Sequence, residues 1–150
     1  MKKIYPFVIV AFLLSSCSKD AFKSYDRRII GTWQLVDVDR NGLGGSISHL
    51  PFQDGQFIFG ENGELTVNLP SGAHYKGSWD IRREWRSGGS YANGNGNNTE
   101  VHTLILTAVD FTTQDVKSEY FDEMDFTGTN HFKAYVSADF HTYAFRFRRN

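Results

Sequence analysis

The chain has a single cysteine in 150 residues, Cys17, so no disulfide can form within it. It has no long hydrophobic run either. The one apolar stretch, Ile4 to Leu14 with Pro6 inside it, is too short for a spanning helix, which needs roughly 20 residues. No segment repeats apolar residues with a helical period between caps, which points away from helical folds. Charge of one sign is not in excess, with 16 basic against 17 acidic residues, so there is no general bias toward nucleic acid. The five histidines, His49, His74, His102, His131 and His141, never stand at metal-ligand spacing with a second His or Cys. No serine lies in a glycine elbow, and no other local nucleophile motif occurs. The expectation is therefore no catalytic residue, no metal site, no cofactor and no enzymatic activity.

What is present begins at the N-terminus. Lys2 and Lys3 precede the apolar run, and Leu14-Ser15-Ser16-Cys17 follows it, the pattern of a cleaved secretion signal. Leu-Ser-Ser-Cys resembles the lipobox of bacterial lipoproteins. The resemblance implies that the Cys17 thiol receives a diacylglyceryl group, with palmitate as an acyl chain, and that Cys17 becomes the mature N-terminus. The alternative is a free cysteine that happens to end an ordinary signal peptide. Ser18 after the cysteine is similar to the neutral residue of lipoproteins passed to the outer membrane. Lys19 and Asp20 are too short a tag to choose between the periplasmic and the cell-surface side. Attachment would then be by lipid, and two or more acyl chains anchor stably where one does not. The chain divides into a lipoprotein signal peptide (1–16), a lipidated tether (17–28) and one folded domain (29–150). Loss of Lys2 and Lys3 leaves 14 basic against 17 acidic residues and a formal charge of −3.

The folded part reads as strands. In Ile29 to Asp39, Trp33 and Leu35 share one face while Val36 and Val38 are apolar on the other, so a bulge or bend is expected to switch the buried side. A long connection with Pro51-Phe52 inside it runs to about Gly55. Phe57 and Phe59, a turn at Glu61-Asn62-Gly63, and Leu65, Val67 and Leu69 make a hairpin with a polar outer face. Tyr75, Trp79 and Ile81 share the next face, with a bend expected at Gly77. From Arg86 to Glu100 glycine, asparagine and serine dominate, and a mobile loop is expected. Four more strands follow, at Val101–Val109, Val116–Phe126, Thr129–Val136 and Thr142–Arg148. Residues 18–28 read as a tether or a single helical turn with nothing to pack.

Eight short strands in sequence favour an all-β, up-and-down antiparallel barrel, the size at which a sheet can close and remove its edges. Gly31-Thr32-Trp33 on the first strand, with Arg146 or Arg148 on the last, resembles the lipocalin signature. Together with the lipobox, Phe-x-Phe before an Asn-Gly turn and a second Gly-x-Trp at Gly77, the chain resembles bacterial lipocalin-like lipoproteins. That resemblance implies that Arg146 or Arg148 packs over Trp33 at the closed end. The chain departs from larger lipocalins in having no long helix after the last strand and no cysteine pair.

Phe57, Phe59, Tyr75, Trp79, Tyr120, Phe132, Tyr143 and Phe145 are the candidate ligand-binding residues, because an eight-stranded lumen either fills with side chains or holds one small ligand. Glu119, Asp122, Glu123 and Asp125 read as a solvated face, and the arginine clusters as solvated strand ends. The leading expectation is a lipid-anchored binder of a small apolar or amphipathic molecule. The rival is a filled barrel acting as the interaction subunit of an envelope complex. A lipid-spanning barrel shares the two-residue period, but its apolar face would point outward.

Overall fold

The computed structural model describes residues 23–41, 52, 54–92, 98–138 and 141–150. The expected signal peptide, Cys17 and the first half of the tether lie outside the described residues, as do 42–51, 53, 93–97 and 139–140. A short helix α1 (Tyr25–Ile29) leads into eight strands: β1 (Gly31–Asn41), β2 (Gly55–Phe59), β3 (Glu64–Asn68), β4 (His74–Arg86), β5 (Thr99–Asp110), β6 (Asp115–Phe126), β7 (His131–Ala138) and β8 (His141–Arg149). Neighbours in sequence pair antiparallel, and β8 pairs back with β1 to close an up-and-down barrel.

The two-residue period decides which side chains fill it. Trp33, Phe57, Phe59, Leu65, Val67, Leu104, Leu106, Phe121, Phe132, Phe145 and Phe147 are buried in one core, while Lys76, Ser78, Asp80, Arg82 and Glu84 alternate outward along β4. Apolar inside and charged outside is the reverse of a lipid-spanning barrel. On β1 the expected bulge falls between Leu35 and Asp37. Val36 is the extra residue and is 47% exposed, and Val38 turns toward the core opposite Phe145.

Two glycines are fixed by space. At Gly31 the backbone has φ +128°, and a Cβ would stand 3.0 Å from Arg149 Nη1. At Gly77 a Cβ would lie 1.9 Å from the Thr107 carbonyl oxygen, so the expected irregularity is a close approach of β4 to β5.

Closure is sealed at Trp33, though not by the arginines expected. The Arg149 guanidinium lies 4.4 Å over the indole and donates to the carbonyls of Ile30 and Arg28. Phe145, Phe147 and Arg149 share the inward phase of β8, which turns Arg146 and Arg148 outward. Arg146 pairs with Asp37 and Asp39, and Arg148 is exposed. Trp33 is fully buried, and its Nε1 donates to the Ile29 carbonyl at 2.6 Å.

The end of the tether is also packed, contrary to expectation. The Tyr25 ring stacks on His102 at 3.6 Å, its hydroxyl donates to Asp125 Oδ1 at 2.9 Å, and Ile29 is fully buried. One helical turn is enough because its two apolar residues fall four apart, on one side.

Of the loop expected to be mobile from Arg86 to Glu100, residues 93–97 lie outside the described residues, and residues 86–92 are tied down. β4 runs to Arg86 and β5 begins at Thr99. Between them, Ser90 Oγ and the backbone N–H groups of Tyr91 and Ala92 donate to the Glu123 carboxylate, with Tyr91 N at 2.6 Å and Ala92 N at 3.1 Å. Arg86 Nη1 joins them at 3.0 Å, and its guanidinium lies 4.6 Å over the Tyr91 ring. Glu123 is only 2% exposed, and Val101, Thr103 and Tyr135 are buried beside it on the outer phase of the sheet. The expectation weighed only apolar surface. A buried carboxylate with four donors replaces it, since hydrogen bonds to charged groups are each worth about 1.5–3 kcal/mol.

Two outcomes follow from this packing. Trp33→Ala removes the ring that Arg149, Phe132 and the Ile29 carbonyl enclose. In urea unfolding it should lose about 3–5 kcal/mol of stability; a midpoint equal to the parent's would contradict the seal. In Glu123→Ala the Tyr91 and Ala92 amides should exchange with deuterium about tenfold faster or more, the loss of one charge-assisted bond. Unchanged protection would mean that another contact holds the segment.

Candidate functional site

In an up-and-down barrel the starts of the odd strands share one end and the starts of the even strands share the other. The end that holds Gly31 and Arg149 is closed by α1, Trp33 and a set of stacked rings. Phe132 lies 4.8 Å edge-on from Trp33 and stacks on Phe147 at 4.3 Å, and Phe59 packs at 5.9 Å against Trp79. Trp79 Nε1 donates to the Gly60 carbonyl at 3.1 Å. Of the expected ligand residues, Phe59, Trp79 and Phe132 therefore serve this plug.

Phe57, Tyr75, Tyr143 and Phe145 are buried along the remaining lumen. Tyr120 is not part of it: it is 43% exposed, and its hydroxyl reaches Glu84 on the outer face at 3.3 Å. The reason is phase, because Glu119 and Phe121 take the inward positions on β6, opposite Leu106 and Leu104.

The other end starts from Gly55, His74, Asp115 and His141, the first residues of β2, β4, β6 and β8. Phe52, from the β1–β2 connection, is buried here. It packs edge-on against Phe57 at 5.7 Å and Tyr75 at 6.0 Å. The inward phase of β6 descends from the rim as Asp115, Lys117, Glu119 and Phe121. From Asp115 to Glu119 this row covers about 13 Å of strand.

Asp115 Oδ2 accepts from the Tyr75 hydroxyl at 2.7 Å and sits 3.3 Å from Lys117 Nζ. The Tyr75 bond, then Lys117, hold the Asp115 carboxyl below its ordinary range, and the same bond pushes Tyr75 up to about 12.

Glu119 differs from its neighbours. It is 7% exposed, and its Oε2 is buried with no hydrogen-bond partner. Burial raises its pKa to about 7, against a smaller lowering by the Tyr120 backbone N–H and a further raising by Asp122. His141 Nδ1, on the inward phase of β8 beside Tyr143, is likewise buried and unpartnered. These two are the only buried carboxyl or imidazole atoms left without a partner among the described residues. The expectation that Glu119 and Glu123 belong to a solvated face is thus overturned at both positions.

The ladder next to Glu119 is short. β6 and β7 share ladder pairs only from Glu123↔Tyr135 to Phe126↔Phe132. Beyond them the Ser137 N–H of β7 donates at 2.6 Å to the Asp122 side chain of β6 instead of a backbone carbonyl. At this end the polar inner row of β6 therefore lies beside Val136 and Ala138 of β7 without described ladder pairs between them.

Phe52, Glu119 and His141 were missed as site residues in the sequence. Leu104, Leu106 and Ala108 alternating on β5 against Phe121, Glu119 and Lys117 on β6 carry the signal for Glu119. No group of three metal-ligating side chains occurs among the described residues.

Glu119 makes stability depend on pH with a definite sign. Its proton is held more tightly in the folded protein, so the stabilising contribution is fully present below about pH 4.5 and is lost as pH rises through about 7. The size is on the order of 2 kcal/mol after solvent screening. Urea midpoints measured from pH 5 to pH 8 should fall more steeply in the parent than in Glu119→Gln; identical slopes would contradict a buried carboxyl. Comparison with protein-family models, with curated proteins and with solved structures returned no match.

Proposed function

We propose that the protein is a lipid-anchored, lipocalin-like binding module that takes a small amphipathic molecule at the open end of the barrel. One observation carries this reading: Glu119 Oε2 is buried without a partner on the inner face of β6, between the apolar core and the Asp115–Lys117 pair nearer the rim. A carboxyl in that position costs free energy until something bonds to it. A ligand with an apolar body and a polar end that donates hydrogen bonds or carries positive charge would place the first against Phe57, Tyr143 and Phe145 and the second on Glu119. Binding, and not catalysis, is the activity proposed.

For the cellular address, Leu14-Ser15-Ser16-Cys17 supports an outer-membrane lipoprotein on the periplasmic or the cell-surface side. Phe52 favours a second reading. A side chain from the connecting loop already occupies the open half of the lumen, as in a filled barrel whose loops meet an envelope protein partner.

Native mass spectrometry of protein from its own host should show a copurified small molecule and an acylated Cys17. With pure probes of one chain length, a fatty amine should bind about tenfold or more tighter than the fatty acid, and Glu119→Gln should erase that preference. Equal binding of amine and acid, or a preference that survives Glu119→Gln, would remove Glu119 as the anchor. No adduct together with no probe binding would leave the filled barrel.

A further inference from the structure

The closed end carries a basic groove that shares Arg149 with the Trp33 seal. It has a volume of about 190 Å³ and is lined by Lys23, Arg27, Arg28, Thr129, Asn130 and Arg149, four cations and two neutral polar residues with no carboxylate. Two of the cations are held rigidly by neutral partners. Arg28 donates to the Gly128 carbonyl at 3.1 Å and lies 4.1 Å over the Phe126 ring. Arg149 donates to the Ile30 and Arg28 carbonyls and covers Trp33, and its buried Nε has no acceptor. Carbonyls and rings fix a guanidinium without cancelling its charge, so the groove keeps a preset positive field. Among the described residues no carboxylate pairs with Arg27, Arg28 or Arg149. The adjoining groove beside Trp79 shares Lys23, Arg27 and Arg149 and adds two carboxylates, Asp26 and Glu61.

Position adds to charge. Lys23 is six residues after Cys17, and six extended residues span at most about 20 Å. If Cys17 is acylated, as proposed above, the closed end is held close to the bilayer surface, where an anionic leaflet attracts each basic residue. We infer that this basic groove is a docking site for the phosphate-bearing headgroups of anionic phospholipids. The barrel would then stand with its closed end on the membrane and its open end, with Glu119, turned away. The anchor supplies residence and the groove supplies orientation.

The inference rests on the lipid-anchor reading for its biology, but its test does not, because the probe protein carries no acyl group. The mature chain with Cys17→Ser is mixed with vesicles of phosphatidylcholine alone or of phosphatidylcholine with phosphatidylglycerol, and bound protein is measured by flotation. Binding to the anionic vesicles should be about tenfold or more tighter and should weaken as salt is added. Lys23→Gln and Arg27→Gln, which leave the Trp33 seal untouched, should each reduce it about fivefold while near-ultraviolet circular dichroism stays that of the parent. Equal binding to both kinds of vesicle, or no change in the two variants, would overturn the inference. Saturable binding of inorganic phosphate without vesicle binding would overturn it too, by making the groove a soluble-anion site. An unmodified Cys17 in the native protein would instead count against the anchor alone.

Discussion

A closed barrel needs its first and last strands to find one another across more than a hundred residues, and here that meeting is paid for around one indole. Trp33 is enclosed by the Arg149 guanidinium on its face, by the Ile29 carbonyl at its N–H and by Phe132 at its edge. Each partner comes from a different part of the chain: the end of β8, the helix before β1, and β7. The β1–β8 register, the docking of α1 and the ring stack beneath it are therefore one coupled unit. Gly31 belongs to the same unit, because any side chain there would press on the Arg149 guanidinium.

Sealing one end so tightly puts the remaining freedom at the other. The closed half is crowded with rings at contact distance, whereas the other half carries a polar row on β6, a loop residue, Phe52, and a short β6–β7 ladder. Two carboxylates of that strand show how differently burial can be resolved. Glu123, on the outer face, collects four donors and pins the β4–β5 connection. Glu119, on the inner face, is left with an oxygen that nothing in the described protein satisfies. The first is a structural clamp; the second keeps an unused acceptor.

The fold was legible because alternation, glycine turns and eight short apolar segments all pointed the same way, and even the β1 bulge was readable from Val36 and Val38. The errors have two physical sources. Arg146 and Arg148 were chosen over Arg149, and Tyr120 was placed inside, by residue type where phase decides. Phe145-x-Phe147-x-Arg149 already contains the right answer. Glu119, Glu123 and Arg86 were read as solvated, and Tyr25 as part of a tether with nothing to pack, because a lone sequence does not say which distant groups will come to meet them. Glu123 acquires its donors only when residues 86–92 fold onto the outer face of the sheet. Phe52 could not be assigned to the lumen from a loop with no period.

The account turns on Glu119 being a buried carboxyl that an incoming ligand engages. Carbon NMR of its side-chain carboxyl, titrated with and without a fatty amine, reads that directly. The account predicts a midpoint near 7 in the empty protein and a marked fall when the amine is bound, as an opposite charge stabilises the ionised form. A midpoint in the ordinary glutamate range that the amine does not move would contradict it.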